Sequence, residues 1–275
     1  MSLHFTKMHG IGNDFVVLDC RTRPFALDSA QMRRLGDRHM GVGFDQLLTI
    51  EPARDGSSLF YYGIYNNDGS PSGQCGNGVR CVAAWLRRAG VLNAGAVRLE
   101  SPSGPIGVEL LDSDRVRVDM GEPRFAPEEI PLRLLAADLY TLQVDGCRVE
   151  FGAVSMGNPH AVIEVADVAT APLETLGVAL SADAHFPQGC NAGFVEIVDR
   201  GRVKLRVWER AAGATLACGT GACAAVAVLR RRGKADAEVA VDLPGGRLDI
   251  RWDGPQHTLW MTGPAAFAYE GDWNE

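Results

Sequence analysis

The sequence predicts an α+β protein made of two pseudo-symmetric domains, each mainly antiparallel β-structure. Short β-type runs are numerous along the 275 residues and helical patterns are few. The stretch "SGQCGNGVRCVAAWLRRAG" (72–90) is closely repeated by "TLACGTGACAAVAVLRRRG" (215–233). An apolar fraction of 46% with 22% charged residues is typical of a globular chain, and this length can bury a sizeable core.

The elements follow from local patterns, taken in chain order. Alternating or β-branched runs predict strands in "HFTKMH", "FVVLDC", "LFYYGIYN", "RVRVDM", "VKLRVWE" and "GRLDIRW". The turn-bearing pairs "VELLDSDRVRV" and "VDLPGGRLDI" predict hairpins. Helices are predicted at 28–40, with Asp28 as N-cap, and at 77–89, 171–180 and 220–232. The Pro-spaced segment "GEPRFAPEEIPLRLL" indicates a crossing between two halves.

Two copies of one domain explain the repeat. Eight of sixteen residues agree when Cys75 is laid on Cys218, which follows it by 143 residues. "GNDFVVLD" and "GNPHAVIE", then "GFDQLLTI" and "GFVEIVD", recur in the same order at nearly the same offset. We therefore predict an N-terminal repeat domain at 1–119 and a C-terminal repeat domain at 120–263, with the tail 264–275 returning to the first and a cleft between the domains.

Composition narrows the class of protein. A net charge of −7 disfavours nucleic acid as a partner, and no window has the roughly 20 apolar residues that span a bilayer. The opening "MSLHFTKMHGIGNDF" lacks the apolar core of a signal peptide. Seven cysteines, an odd number, are then expected to be free thiols in a cytoplasmic protein.

Cys75 and Cys218 each lie immediately before an apolar helix. Arginines and a glycine at the far end of each helix fix its direction, so each cysteine lies at the N-terminus. Backbone N–H groups and the helix dipole there favour an anion and lower the pKa of a thiol. Flanking glycines let a ligand approach the backbone closely. Cys75 and Cys218 are therefore predicted to be functional, whereas Cys20, Cys81, Cys147 and Cys223 are predicted to be inert core residues and Cys190 structural.

Paired thiols at an anion site suit one reaction in particular. Inverting the α-carbon of an amino acid without a cofactor needs a base on each face, one a thiolate and the other a thiol. Amino-acid racemases commonly use pyridoxal phosphate on a lysine, but this chain has three lysines only, and none lies in a glycine-rich phosphate-binding context. A mechanism with no cofactor and no metal is favoured.

Nine motifs along the chain together resemble those of a known family. "KMHGIGNDFVVLD", "GFDQLL", "YNNDGS", "QCGNGVRC", "GAVSMGNPHAV", "NAGF", "WERAAGATLACGTGACAAVAV", "VDLPGG" and "MTGPA" together look like the diaminopimelate epimerase family, from about residue 5 to about 266. The resemblance implies two similar domains, each a β-sheet wrapped around a central helix, with the active site in the cleft between them. It also implies interconversion of LL- and meso-diaminopimelate without pyridoxal phosphate, for lysine and peptidoglycan synthesis.

The resemblance also implies the site residues. Cys75 and Cys218 become the acid/base pair, and His160 and Glu209 match residues that tune the two thiols. Side-chain contacts to substrate are implied for Asn13, Gln46, Asn66, Asn158, Asn191, Glu209 and Arg210, and backbone contacts for Gly76, Asn77, Gly219 and Thr220. Amides suit a zwitterion because each offers donors and an acceptor, although asparagine is also a common turn residue. Neighbouring Glu209 and Arg210 should diverge, towards an ammonium and a distant carboxylate.

Departures and alternatives remain. Where the family usually has glycine and glutamate, this chain has Ala211 and Ala214, which leaves the exact substrate open. One alternative is a racemase of another amino acid, such as proline, on the same fold. A second is a paired-thiol redox or metal-binding protein, although no CxxC motif occurs and the histidines are scattered. The expected partners are a small-molecule amino-acid substrate and, as one option, a second copy of the chain in a homodimer.

Overall fold

The computed structural model describes residues 2–93, 95–111, 114–210 and 212–274. The chain forms two compact units: unit 1 comprises the residues up to Asp119 together with those from Thr262 onward, and unit 2 is Met120–Met261. Each unit is mostly β-strand with few helices, so the predicted α+β class is confirmed.

Unit 1 is a curved sheet with one central helix. Its strands are β1 (Ser2–Gly10), β2 (Asn13–Asp19), β3 (Gln46–Pro52), β4 (Phe60–Asn66), β5 (Gly95–Ser101), β6 (Gly104–Leu110) and β7 (Arg115–Asp119), and its helices are α1 (Ser29–Gly36) and α2 (Gly76–Arg88). Each strand pairs with the next in this order; β2–β3 and β4–β5 are parallel and the other pairs antiparallel. The apolar helix α2 packs on β1, β2, β3, β6 and β7, as a helix apolar nearly all round should.

Unit 2 repeats this topology. It contains β8 (Tyr140–Val144), β9 (Cys147–Ser155), β10 (Pro159–Glu164), a 3₁₀ turn (Val168–Thr170), a π-helical turn (Leu173–Gly177), α3 (Val178–Ser181), β11 (Asn191–Asp199), β12 (Arg202–Glu209), β13 (Gly213–Thr215), α4 (Gly219–Arg231), β14 (Glu238–Leu243) and β15 (Gly246–Arg251). Parallel pairing recurs at the equivalent steps, β10–β11 and β12–β14, and α4 packs on β9, β10, β11, β12 and β15.

The last two strands return the chain to unit 1. β16 (Trp260–Pro264) spans the boundary, and β17 (Ala266–Asn274) pairs antiparallel with β1, as β8 pairs with β9 in unit 2. The strand order β17–β1–β2–β3–β4–β5–β6 therefore matches β8–β9–β10–β11–β12–β14–β15. Such a match is what duplication of one domain produces.

Three of the four predicted helices agree with the sequence patterns in position, and one of these three is shorter than predicted. Helices α2 and α4 each begin and end one residue earlier than predicted, and a positive-φ glycine, Gly90 or Gly233, follows each. Asp28 caps α1 as predicted, accepting from the N–H groups of residues 30 and 31. The helix predicted at 28–40 ends at Gly36, because the Asp37 carboxylate accepts from the N–H groups of His39 and Met40 and stabilises a turn instead.

The helix predicted at 171–180 is replaced by the π-helical turn and α3. The buried glycine at the junction, Gly177, explains the close packing there. A Cβ on Gly177 would lie 2.9 Å from that of Trp208, so the turn packs directly against β12. Tertiary packing has thus altered the helix from its local pattern.

Candidate active site

In unit 1, three strands bring amide side chains to one edge of the sheet. Asn13 begins β2, Gln46 begins β3 and Asn66 ends β4. The parallel register places Phe15 beside Gln46, and the antiparallel register places Gln46 beside Asn66. The Gln46 Nε2 group donates to Asn66 Oδ1 at 3.1 Å. Three residues from distant parts of the sequence are therefore neighbours because strand pairing places them at one edge.

The sulfur of Cys75 lies at this edge, as the N-cap of α2. Its backbone is extended, with φ −141° and ψ 109°, and its sulfur accepts from the N–H of Gly78 at 3.4 Å. Its thiol faces Asn13 Oδ1 at 3.7 Å, an oxygen that also accepts from Asn77 Nδ2 at 3.2 Å. Cys75 is half-buried, unlike Cys218, which is buried. Asn13, Cys75 and Asn77 form one hydrogen-bonded cluster at the helix N-terminus.

A carboxylate fixes the orientation of the Asn13 amide. Asp45 Oδ2 accepts from Asn13 Nδ2 at 2.8 Å and from the Asp14 N–H at 3.1 Å. A carboxylate only accepts, so the Nδ2 end must face Asp45 and the Oδ1 end must face Cys75. Arg38 Nη2 donates to the carboxylates of Asp14 and Asp45, at 2.7 Å in each case. Burial raises the pKa of Asp14, but hydrogen bonds from Arg38 and Lys7 outweigh it and lower the value to about 2.

The equivalent edge of unit 2 carries a histidine between two asparagines. His160 on β10 is paired with Asn191 on β11, as Phe15 is paired with Gln46 in unit 1. His160 Nε2 lies 3.1 Å from Asn158 Oδ1 and 3.5 Å from Asn191 Nδ2. Asn191 Oδ1 accepts the N–H of Arg210 at 3.0 Å. Strand pairing therefore brings together four of the predicted site residues.

His160 is an uncharged structural centre of this edge. Its side chain is buried, and burial, followed by the nearby positive charge of Arg210, lowers its pKa to about 3. Its imidazole is therefore neutral at physiological pH, and Nε2 either donates to Asn158 Oδ1 or accepts from Asn191 Nδ2, according to the tautomer. The thiol-tuning role implied by the family resemblance stays a prediction, because the hydrogen-bond contacts of His160 are to asparagines.

The second cysteine, Cys218, has a different environment from Cys75. It is 4% exposed, and burial, followed by the charge of Glu209, raises its pKa well above the ordinary value; the Thr220 hydroxyl and the Gly221 N–H oppose this only in part. The prediction that the helix N-terminus lowers the thiol pKa is therefore wrong for Cys218. Desolvation and a neighbouring anion both disfavour the thiolate, and together they outweigh the helix N-terminus.

Glu209 and Arg210 diverge as predicted from their adjacent positions at the end of β12. Glu209 Oε1 accepts the Thr215 hydroxyl at 2.6 Å, which directs the carboxylate towards the segment that leads into Cys218. Arg210 is exposed and its Nη1 donates to the Gln188 carbonyl at 2.7 Å. One side chain thus places a negative charge near the buried thiol, and the other presents a positive charge at the surface.

The first turns of α2 and α4 carry backbone N–H groups suited to an anion. The first intrahelical bonds run from Val79 to Cys75 and from Ala222 to Cys218, so the N–H groups of the residues before them precede the helical ladder. These include the predicted backbone contacts, namely Gly76, Asn77, Gly219 and Thr220. A negatively charged group is favoured at such positions.

The second glycine of each Cys-Gly-x-Gly motif makes room for the cysteine. A Cβ added at Gly221 would lie 3.1 Å from the sulfur of Cys218, and one added at Gly78 would lie 3.4 Å from the Cβ of Cys75. Both contacts arise because the helix N-terminal turn folds this position back onto the cap residue. The recurrence of the motif is therefore explained by close packing at the helix entry.

The remaining cysteines divide into buried and exposed residues. Cys20, Cys81, Cys190 and Cys223 are buried, and burial raises the pKa of Cys20 and of Cys81 to about 12, as expected for inert thiols. Cys147 corrects the prediction of a core residue, since it is exposed. It begins β9 directly after a turn in which Asp145 and Gly146 both have positive φ, so the hairpin directs it to solvent.

Some residues of the site were not predicted, and some predictions find no structural test. Asp45 and Arg38, which hold Asn13, were assigned no role, although Asp45 lies within the quoted motif "GFDQLL". Of the two departures from the family pattern, Ala211 lies outside the described residues. Ala214 is exposed on β13, opposite Trp208.

Among the described residues, no group of three or more His, Cys, Asp or Glu side chains could hold a metal ion. Within the same part of the chain, no helix is long and apolar enough to cross a membrane.

Solved structures share this fold. A hydroxyproline epimerase from Agrobacterium vitis with bound trans-4-hydroxy-L-proline superposes with a TM-score of 0.70 at 16% identity, covering 98% of this chain and 92% of that one. A PhzF-family phenazine biosynthesis protein from Bacillus anthracis gives 0.69 at 14% identity, with 100% of both chains covered. At these identities the likeness shows the fold alone. The class defined here is therefore the two-part α+β fold that these proteins share.

Sequence comparison makes the assignment specific. The profile of the diaminopimelate epimerase family matches residues 5–126 and 152–268. Diaminopimelate epimerases of Xanthomonas euvesicatoria pv. vesicatoria and Xanthomonas axonopodis pv. citri are 54% and 53% identical over 274 residues, which is 99% of this chain and 96% of each relative. The chain belongs to the diaminopimelate epimerase family.

Proposed function

We propose that this chain is an isomerase that interconverts LL- and meso-diaminopimelate for lysine and peptidoglycan synthesis. The observation that carries the proposal is its family membership, with 54% identity to a diaminopimelate epimerase over nearly the whole chain. The site supports it, because each unit presents a cysteine at a helix N-terminus among polar side chains suited to an amino acid. The amino-acid substrate follows from the family.

The proposed reaction removes one proton from the α-carbon and adds another to its opposite face. A thiolate on one face takes the α-proton, so an S–H bond forms as the C–H bond breaks and the electron pair stays on the carbon and its carboxylate. A thiol on the other face then donates its proton, so a C–H bond forms with inverted configuration. Backbone N–H groups at the starts of α2 and α4 stabilise the charge that develops on the carboxylate. Pyridoxal phosphate has no step in this mechanism.

The two cysteines have different proposed roles in the free enzyme. Cys218 is the thiol, because burial and Glu209 raise its pKa well above the ordinary value and so hold its proton. Cys75, half-buried and with the Gly78 N–H directed at its sulfur, is the proposed base that takes the α-proton. After one turnover the protonation of the two sulfurs is exchanged. The reverse reaction then begins at Cys218.

The amide side chains are proposed to bind the zwitterionic ends of the substrate. Each amide offers donors for a carboxylate and an acceptor for an ammonium group, which a zwitterion requires together. Arg210, exposed and positively charged, is proposed to pair with the second carboxylate. The other proposed side-chain contacts are Asn13, Gln46, Asn66, Asn158, Asn191 and Glu209.

Proton exchange followed by NMR tests the function directly. The reduced protein is incubated with LL-diaminopimelate in D₂O without added pyridoxal phosphate, and loss of the α-proton signal is followed together with appearance of the meso isomer. We expect exchange that is lost in Cys75→Ala and in Cys218→Ala but retained in Cys147→Ala, the exposed-thiol control. Exchange with proline and none with diaminopimelate would refute the substrate. Loss of activity on removal of a co-purified metal would favour the metal-binding alternative.

The domain organisation, the assembly and the location of the protein are also proposed. We propose that units 1 and 2 correspond to the two duplicated domains predicted at 1–119 with the returning tail and at 120–263. A homodimer is the proposed assembly, and light scattering at several protein concentrations tests it. The cytoplasm is the proposed location, consistent with a biosynthetic family.

A further inference from the structure

The largest fully buried side chain of the described residues is a charged one, Arg80, in the second turn of α2. Its exposure is 0%, whereas arginine is almost never fully buried without partners because desolvating its charge is costly. It lies within the motif "CGNGVRC", three residues after Asn77. The reaction mechanism described above gives it no task.

The Arg80 guanidinium contacts the backbone of three separate segments of unit 1. Its Nη1 donates to the carbonyl of Gly76 at 3.4 Å, and its Nε donates to the carbonyl of Pro264 at 3.2 Å. Its Nη2 lies 2.8 Å from where a Cβ on Gly10 would be, so the guanidinium packs directly on that glycine. A side chain at position 10 would therefore displace the Arg80 guanidinium, which packs against the hydrogen face of this glycine.

Two of these segments carry residues of the candidate active site. Gly10 precedes the β1–β2 turn, in which Ile11 and Gly12 have φ of 47° and 92°, and Asn13 follows immediately. A positive φ is strained for a β-branched residue such as isoleucine, and such strain persists only where the surrounding structure holds it. Gly76 is the first residue of α2, next to Cys75. Arg80 thus holds the backbone on both sides of the contact between Asn13 and the Cys75 thiol.

The positive charge of Arg80 is specific to unit 1. The equivalent position in the repeat, 143 residues later, is Cys223, which is buried and uncharged. A carboxylate differs in the opposite sense, because Glu209 at the end of β12 corresponds to Asn66 at the end of β4. A buried cation favours an anion near it, and a carboxylate disfavours one, because the protein interior screens charge weakly. The duplicated site is therefore electrostatically asymmetric.

We propose that Arg80 is a positioning residue for the epimerisation: it fixes the β1–β2 turn and the first turn of α2, and its charge favours the anionic form of groups at that helix N-terminus. This inference rests on the proposed function. Arg80 acts through Asn13, Cys75 and Asn77. The two thiols transfer the protons of the reaction.

Three variants and one control distinguish the positioning role of Arg80 from the effect of its charge. Arg80→Met removes the charge and the fork of donors, Arg80→Lys keeps the charge, and Gly10→Ala pushes a methyl group into the guanidinium. Arg117→Met removes a half-buried arginine paired with Glu109 at 2.8 Å and serves as the control. For each protein we would measure kcat and KM with LL-diaminopimelate, the melting temperature, and the rate at which iodoacetamide alkylates the Cys75 peptide from pH 5 to 10.

The expected results follow from the two roles. In Arg80→Met, kcat falls about 100-fold, as for a displaced catalytic group, and the alkylation midpoint of Cys75 moves about one pH unit higher, as for loss of a nearby cation. Arg80→Lys restores most of the alkylation midpoint but little of kcat, since one ammonium cannot bridge the same carbonyls. In Gly10→Ala, kcat falls about 10-fold while the alkylation midpoint moves little, because the charge stays. The control matches the wild type.

Two outcomes would overturn the inference. One is an Arg80→Met protein whose kcat per active site, titrated by alkylation, and whose alkylation midpoint both equal those of the wild type. The other is a loss confined to the melting temperature in all three variants, which would make Arg80 structural only. If Arg80→Met does not fold, Arg80→Lys and Gly10→Ala decide by the same criteria. Wild-type protein that exchanges no proton of diaminopimelate would refute the proposed function, whereas the alkylation profiles would still test Arg80.

Discussion

Gly221, in the first turn of α4, should tolerate no side chain without loss of activity. In Gly221→Ala the new methyl carbon would lie 3.1 Å from the sulfur of Cys218 and 3.0 Å from Cγ2 of Val207. Relaxed carbon contacts lie at about 3.5–4.0 Å, so the sulfur or the methyl must move by roughly 0.5 Å. Since a 1 Å misplacement can cost about 100-fold in rate, we expect kcat to fall about 10-fold.

Two opposing effects set the free energy of unfolding of this variant. Alanine is favoured over glycine inside a helix by about 0.5–1 kcal/mol, and overpacking a core costs about 1–3 kcal/mol. These effects oppose each other, so the free energy of unfolding should fall by at most about 2.5 kcal/mol. Urea denaturation followed by circular dichroism measures this, and proton exchange with LL-diaminopimelate measures kcat.

The repeat supplies a matched control, Gly78→Ala in α2. The nearest atoms to its new methyl would be side-chain carbons of Leu48, at 3.2 Å, and the Cβ of Cys75, at 3.4 Å, so the Cys75 sulfur is not displaced. We expect kcat within about threefold of the wild type, because the leucine can adjust its rotamer. An unchanged kcat in Gly221→Ala, or an equal loss in both variants, would refute the inference that this glycine sets the position of the Cys218 sulfur.

Three further variants test the electrostatics of the site. Glu209→Gln removes the charge that raises the Cys218 pKa, so iodoacetamide alkylation of Cys218, read by mass spectrometry, should become half-maximal at lower pH than in the wild type. Asp45→Asn lets the Asn13 amide turn over, since an amide both donates and accepts; kcat/KM should fall about 10-fold, the value of one charged hydrogen bond. His160 has a pKa of about 3 in the folded protein against 6.5 ordinarily, so the unfolded state binds more protons between these values. The free energy of unfolding should therefore fall as pH decreases from 6.5 towards 3, and His160→Phe should flatten that dependence in urea denaturation.

For each of these variants, one result would contradict the expectation. The Cys218 profile staying in place or moving to higher pH would show that Glu209 does not disfavour the thiolate. Asp55→Asn is the control for Asp45→Asn, because the Asp55 carboxylate also accepts from N–H groups, those of Ser57 and Ser58, and does not contact Asn13. An equal loss in both variants would deny Asp45 a specific role. A His160→Phe protein with the wild-type pH slope would mean that other groups cause the acid sensitivity.

Local sequence patterns correctly predicted the two helices that follow the cysteines and several of the strands. The periodicity of "RVRVDM" or "VKLRVWE" depends only on neighbouring residues, and helix entry and exit depend on the residues within one turn. This is why α2 and α4 were predicted to within one residue, with Cys75 and Cys218 at their N-termini. The duplication was also visible in the sequence, because both copies keep the same landmarks at nearly the same offset.

The environment of each site residue was decided only by the tertiary structure. Identical motifs left Cys75 half-buried and Cys218 buried beside Glu209, and sequence reasoning predicted a lowered pKa where the fold raises it. The burial of Arg80 likewise depends on Gly10 and Pro264, which are distant in sequence. The physical reason is common to these cases: desolvation and Coulomb energy depend on what packs within a few ångströms, and those neighbours come from other strands and turns.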